Sequence, residues 1–127
     1  MTTTTTRPVL QPGPDHTLVL EKTAISVRVA AGATVLAKTA SALKLKEHVY
    51  PVALYIDRND IDMSRLERST HTSWCPYKGE ANYFHIVGED GQRYENAVWT
   101  YEAPFENLSR IKDRLAFYTD RVTVTQR

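Results

Sequence analysis

Residues 71–84, HTSWCPYKGEANYF, hold the chain's one cysteine beside a proline, a lysine, a glycine and four aromatic rings. Such a set could do three kinds of chemistry. Cys75 would act as a nucleophile or redox thiol if Lys78 or an imidazole from His71 or His85 lowered its pKa, because the thiolate is the reactive form. The alternative is a small apolar residue buried at a strand end, where unpaired cysteine is common. Pro76 and Gly79 bracket Tyr77 and Lys78, so the backbone must turn sharply there, and Lys78 becomes either an anion clamp or a solvated turn lysine. Glu80 follows Gly79 directly and could serve the same concavity as a general acid or base.

The chain supplies further groups for such a concavity. Tyr55, Tyr77, Tyr83, Trp99 and Tyr101 are many amphipathic rings for so small a protein to bury with every O–H and N–H partnered. They are expected to line a pocket mouth or an interface, or else to form a second core layer tied to backbone carbonyls. Arg58 would add a second cation, or pair with Asp57, Asp60 or Glu80 as a surface bridge. His48, His71 and His85 have spacings that match no metal knuckle, so no metal and no cofactor are expected.

Positioning these groups falls to one domain. The chain has 127 residues, which suits a single core. Sixteen basic and fifteen acidic side chains give a net charge of +1, which lacks the basic footprint of a nucleic-acid binder. The longest apolar run is too short for a bilayer span, and the threonine-rich start lacks the regions of a secretory signal. A lone cysteine forms no internal disulfide and fits a reducing compartment, so a cytoplasmic location is expected. Residues 1–15, with low complexity and three prolines, read as a flexible arm, and residues 16–127 as the domain.

Period-two patterning dominates that domain. Ile25, Val27 and Val29 alternate with Ser26 and Arg28, Gly32 marks a hairpin turn, and Val35 and Ala37 begin the return strand. VALYI (52–56) reads as a strand ending in the turn cluster DRND, and DIDMSRLER as a short helical turn. EANYFHIV (80–87) and ENAVWTY (95–101) alternate about a turn at EDGQ, which would set Tyr83 against Trp99. PFENLSRIKDRL spaces Phe105, Leu108, Ile111 and Leu115 as one short amphipathic helix. LAFYTDRVTVT returns to strand around Thr119 and Asp120. Seven or eight short antiparallel strands with one or two helical turns make the expected fold mainly β.

The stretches CPYKGEANYF, ENAVWTYEAPF and LAFYTDRVTV, with LYIDRNDID upstream, resemble the bacterial family of domain of unknown function 427, sometimes labelled nucleotidyltransferase-like. The resemblance covers roughly residues 18 to 125. It implies a small β domain similar to the β-tent group that includes methionine sulfoxide reductase B. The nucleotidyltransferase label finds no Gly-Ser followed by paired aspartates here, and DRNDID is a turn cluster. Several β-tent relatives hold zinc in paired Cys-x-x-Cys knuckles, which one cysteine cannot supply.

Three functional readings follow. The first is a module that binds a small molecule, with Tyr55, Tyr77, Tyr83 and Trp99 around an apolar part while Lys78 and Arg58 hold an anionic group. The second is a small enzyme using Cys75, Lys78 or Glu80. The third is an interaction domain whose aromatic patch docks onto another chain, such as a second copy.

Overall fold

The structure, a computed structural model, describes residues 7–127, so the first six residues of the expected arm lie outside it. Ten strands run in chain order: β1 (Leu18–Lys22), β2 (Val27–Ala31), β3 (Thr34–Thr39), β4 (Leu43–Glu47), β5 (Ala53–Tyr55), β6 (Leu66–Cys75), β7 (Gly79–Val87), β8 (Arg93–Thr100), β9 (Leu115–Phe117) and β10 (Thr123–Gln126). They form three antiparallel sheets, ordered β1-β4-β5, β10-β2-β3 and β6-β7-β8-β9. The fold is mainly β, as the alternation requires. Among the described residues no helix is long and apolar enough to cross a membrane.

The strongest alternations become hairpins. Val27 and Val29 are buried on β2 while Arg28 is exposed, and Gly32, at φ 57°, makes the turn to β3. Ile25 departs from expectation: it precedes the strand and is 40% exposed, because pairing on that edge begins where Ser26 and Arg127 exchange backbone hydrogen bonds. β7 and β8 pair around Gly91, with Asn82 opposite Thr100 and Tyr83 opposite Trp99. The register then shifts between Phe84 and Ile86. Asn96 adopts φ 50° there, and its N–H donates to His85 Nδ1 at 2.9 Å, so the bulge leaves that donor satisfied.

Two segments differ from the sequence expectation. DIDMSRLER holds the end of one 3-10 turn, Arg58–Asp60, and a second over Met63–Arg65, and Leu66 opens the ten-residue strand β6, most of whose side chains face solvent at a sheet edge. The expected amphipathic helix after Pro104 is a 3-10 segment, Glu106–Ile111, broken at Leu108 (φ −120°, ψ 23°). Leu108 and Ile111 are nevertheless buried, so the apolar face is correct. No side chain caps the segment's first turn, and six residues are too few to sustain an α-helix unaided.

One connecting segment ties the sheets together. Ile56 and Leu115 exchange both backbone hydrogen bonds, at 2.8 and 2.9 Å, joining β5 to β9. Five residues on, Ile61 bridges Ala37, and Asp62 N–H donates to Leu36 C=O at 2.8 Å. The aspartates between are structural: Asp57 and Asp62 cap short 3-10 turns, and Asp60 accepts from the Thr39 hydroxyl at 2.7 Å. Two apolar clusters fill the interior. One centres on Leu36, Ile56, Ile86 and Val98, the other on Leu45, Tyr55, Tyr83 and Ile111.

The turn between β6 and β7 is the CPYKG motif. Cys75 pairs with Gly79, Lys78 N–H donates to Cys75 C=O at 3.2 Å, and Pro76 presets the turn's second residue. Gly79 sits at φ 111°, and a Cβ there would meet Ala103 O at 3.3 Å. Gly79→Ala is therefore expected to lower unfolding free energy by about 1–3 kcal/mol. Gly91→Ala, at φ 81° with open space around it, should lose only about 1 kcal/mol. Urea denaturation of the two variants checks the order; equal losses would mean that the close approach to Ala103 contributes nothing.

Candidate functional site

Where the three sheets meet, the structure leaves a cavity of about 1350 Å³. β2 and β10 supply Val27, Val29 and Val124, β4 and β5 supply Leu45, Glu47 and Tyr55, and the large sheet supplies Trp74, Cys75, Tyr83 and Trp99. The motif turn forms one wall, so the stretch singled out in the sequence does face a concavity.

Six of the eight expected site residues line it: Tyr55, Cys75, Tyr77, Lys78, Tyr83 and Trp99. The other two lie elsewhere. Arg58 donates from Nε to Asp113 C=O at 2.6 Å and from its terminal nitrogen to Glu102 at 3.1 Å, with Arg68 on the same carboxylate at 2.6 Å. It forms a bridge, as the plainer reading held, but with different partners. Glu80 pairs with Arg7 at 2.9 Å on the surface.

Lys78 is neither a solvated turn lysine nor an unpaired clamp. Its ammonium donates to Glu47 Oε1, and the two side chains are only 11% and 12% exposed. Glu47 Oε2 takes His16 Nε2 at 2.8 Å. An ionised carboxylate only accepts, so Nε2 carries the proton in this contact. The His16 ring lies flat on Tyr77, with centroids 3.7 Å apart and planes 1° from parallel. Lys78 Nζ also stands 5.7 Å from the Tyr101 ring centre. Burial works to raise the pKa of Glu47, but the hydrogen bonds and charges of Lys78 and His16 together outweigh it and hold the carboxyl below its ordinary value.

The remaining rings form a linked set. Trp99 Nε1–H donates to the Tyr55 hydroxyl at 3.1 Å, edge to face, and Tyr83 and Ser73 share a 2.7 Å hydrogen bond. Tyr118 leans on Trp99 with centroids 4.5 Å apart. Burial pushes the Tyr55 and Tyr101 phenols well above their ordinary range, and burial with the neighbouring Tyr83 hydroxyl pushes Tyr118 up to about 12. These groups are neutral hydroxyls around pH 7, able to donate and accept hydrogen bonds but unsuited to act as bases.

Cys75, expected to be buried, is half-buried with its side chain on the cavity, and no imidazole or carboxylate makes a hydrogen bond to it. Among the described residues no cluster of three or more His, Cys, Asp or Glu could hold a metal ion. His71 packs against Tyr83 and His85 accepts from Asn96, while His48 stacks on His16.

Arg7, Pro8 and Leu10 of the expected arm lie against the end of β6 and the motif turn. Leu10 N–H donates to Pro76 C=O at 2.9 Å, Trp74 Nε1–H to Pro8 C=O at 2.8 Å, and the Arg7 guanidinium lies 4.7 Å over the Trp74 ring. Gly13 and His16 form a small bridge that delivers the imidazole to Glu47.

Two residues that sequence reasoning missed, His16 and Glu47, carry the charged end of the site. The signal for Glu47 was present: Leu43, Leu45 and Glu47 share one face of β4 by alternation, and the first two are buried. His16 carries no such signal, because it precedes the first strand in a proline-rich segment.

The pairing reverses one expectation about Lys78. Lys78→Met would leave melting almost unchanged were the lysine exposed; instead it strips Glu47 of its closest partner and should lower stability at pH 7 by about 3 kcal/mol. Because the folded pKa of Glu47 is depressed, its stabilising contribution is complete above the unfolded value of 4.5 and is lost as pH falls through the folded value. The gap between wild type and Lys78→Met should therefore close as pH falls below about 4.5. Chemical denaturation from pH 7 to pH 3 checks this, and adding Glu47→Gln should recover part of the loss at pH 7. A gap independent of pH would show that Glu47 is not the group left unpaired.

No curated protein matches the chain at a significant level. Residues 19–127, which hold every strand residue but Leu18, the motif turn and all of the cavity lining except His16, match the family described as a domain of unknown function, DUF427. The chain belongs to that family.

Proposed function

We propose that this chain is a small-molecule-binding domain whose cavity takes a flat, ring-bearing ligand. One observation carries the reading: Tyr77, Trp99 and Tyr118, none of them buried, line a cavity of about 1350 Å³ together with the more deeply buried rings of Tyr55, Tyr83 and Tyr101. A protein this small has little apolar surface to spare for its core, so leaving the largest rings around open space runs against stability unless something fills it. Apolar walls with a few placed polar groups are what small-molecule sites share. We read the convergence of three sheets on one cavity as a β-tent-type architecture.

Catalysis has less support. Cys75 has no bonded base, Glu80 is on the surface with Arg7, and Lys78 is committed to Glu47. The interaction reading has one observation in its favour, the exposed Val49, Tyr50 and Val52 beside the cavity mouth. Sedimentation of the purified chain tests for a second copy there.

The chain's two tryptophans, Trp74 and Trp99, both line the cavity, so intrinsic fluorescence reports its occupancy. Titration with fractions of a bacterial metabolite extract is expected to shift the emission, and native mass spectrometry of the active fraction to show a non-covalent adduct. Trp99→Ala should weaken that binding by at least about 1 kcal/mol through the lost ring contact. An extract that shifts no emission and leaves no adduct in any fraction removes the proposal.

A further inference from the structure

We infer that the inner end of the cavity binds an uncharged hydrogen-bond acceptor, an amide or ketone carbonyl attached to a flat ring, through the hydroxyl of Tyr101. The inference rests on the binding reading above and names the chemistry of its ligand.

Tyr101 is the exception among the enclosed rings. The Tyr55 hydroxyl accepts from Trp99 and the Tyr83 hydroxyl is bonded to Ser73, but the Tyr101 hydroxyl makes no hydrogen bond with any described residue. The residue is only 6% exposed. No fully enclosed side-chain polar atom among the described residues lacks a partner, so the Tyr101 oxygen keeps an opening, and the space it borders is the cavity. A phenol so enclosed, with no protein partner, is a donor that a ligand can satisfy.

The charges around it select the acceptor. Besides His16, the charged residues lining the cavity are Lys78, Glu47 and Asp120. Glu47 neutralises Lys78, and both Glu47 oxygens are occupied, one by Lys78 and one by His16. Asp120 is exposed. An anion entering the cavity therefore finds Lys78 and His16 both already bonded to the Glu47 carboxylate, and Arg58, the other expected cation, is held by Glu102 and the Asp113 carbonyl. A cation meets no free carboxylate at the inner end, and the Lys78 ammonium stands 5.7 Å from the Tyr101 ring. A neutral carbonyl avoids both penalties. Its oxygen accepts the Tyr101 O–H, and its ring lies against Trp99 and Tyr118.

Three probes on one ring separate the choices: 2-naphthamide (neutral carbonyl), 2-naphthoate (anion) and 2-naphthylmethylamine (cation). Each is titrated calorimetrically at pH 7 into the full chain, and the amide also into Tyr101→Phe and Tyr55→Phe, with melting of each variant measured alongside. The amide is expected to bind wild type about tenfold more tightly than either charged probe. Tyr101→Phe should weaken it about five- to tenfold while melting at or above the wild-type temperature, since no protein hydrogen bond is lost. Tyr55→Phe should melt lower, because Trp99 Nε1–H then loses its acceptor. The inference is overturned if the anion or the cation binds as tightly as the amide, if Tyr101→Phe binds the amide like wild type, or if Tyr101→Phe melts as low as Tyr55→Phe. Those outcomes leave a binding cavity with different chemistry; failure of all three probes on wild type removes the binding reading and this inference together.

Discussion

The carboxylate of Glu47 is the constraint on which the site depends. It ends β4 on the inward face, where burial alone would favour its neutral form. It stays ionised because two donors from distant parts of the chain reach it, Lys78 from the β6–β7 turn and His16 from the segment before β1. A buried charge held this way fixes geometry more than it adds stability, since desolvation offsets much of the attraction. Its effect is to dock the motif turn and the start of the domain onto the small β1-β4-β5 sheet. Tyr77, stacked on His16, is placed by the same contact.

The other walls hold their positions through backbone pairing. The stretch from Tyr55 to Asp62 contacts all three sheets in turn, through Tyr55 on β4, Ile56 on Leu115, and Ile61 with Asp62 on β3. The three sheets that meet along this segment leave a space between them. The space between them must be filled by large side chains or left open, and here large rings line it without closing it. The cavity is thus a consequence of topology, while its polarity is set by a few side chains at its inner end.

What could be read from residues alone follows the same division. The β7–β8 hairpin was legible because both strands alternate cleanly and Gly91 supplies the positive φ its turn needs, so Tyr83 against Trp99 followed. The motif turn was legible from Pro76 and Gly79. β6 was not: an edge strand that shows most side chains to water has no apolar period, and its first residues, LER, read as the end of a helical turn. Arg58 looked available for a ligand because its partners, Glu102 and the Asp113 carbonyl, are brought to it by long-range packing. Lys78 looked exposed for the same reason, since nothing near it in sequence reveals that β4 delivers a carboxylate. Local chemistry was visible, and the pairing of charges across sheets was not.

That pairing bears on the chemistry of the cavity. A catalytic site keeps at least one group ready to change protonation state or to attack, and such groups are tuned to lie near the working pH. Here the environment pushes the other way. Glu47 is driven further toward its ionised form, and Tyr55, Tyr101 and Tyr118 further toward their neutral forms, so none of the four is poised to exchange a proton around pH 7. Groups locked in one state make good fixed dipoles. A cavity of fixed dipoles and flat rings can orient a ligand and distinguish it from near relatives by a single hydrogen bond, because a relative without the acceptor leaves a buried hydroxyl unpaired. For these four groups, the electrostatics that hold each in one protonation state also suit it to the fixed hydrogen bonding that the proposed binding reading requires.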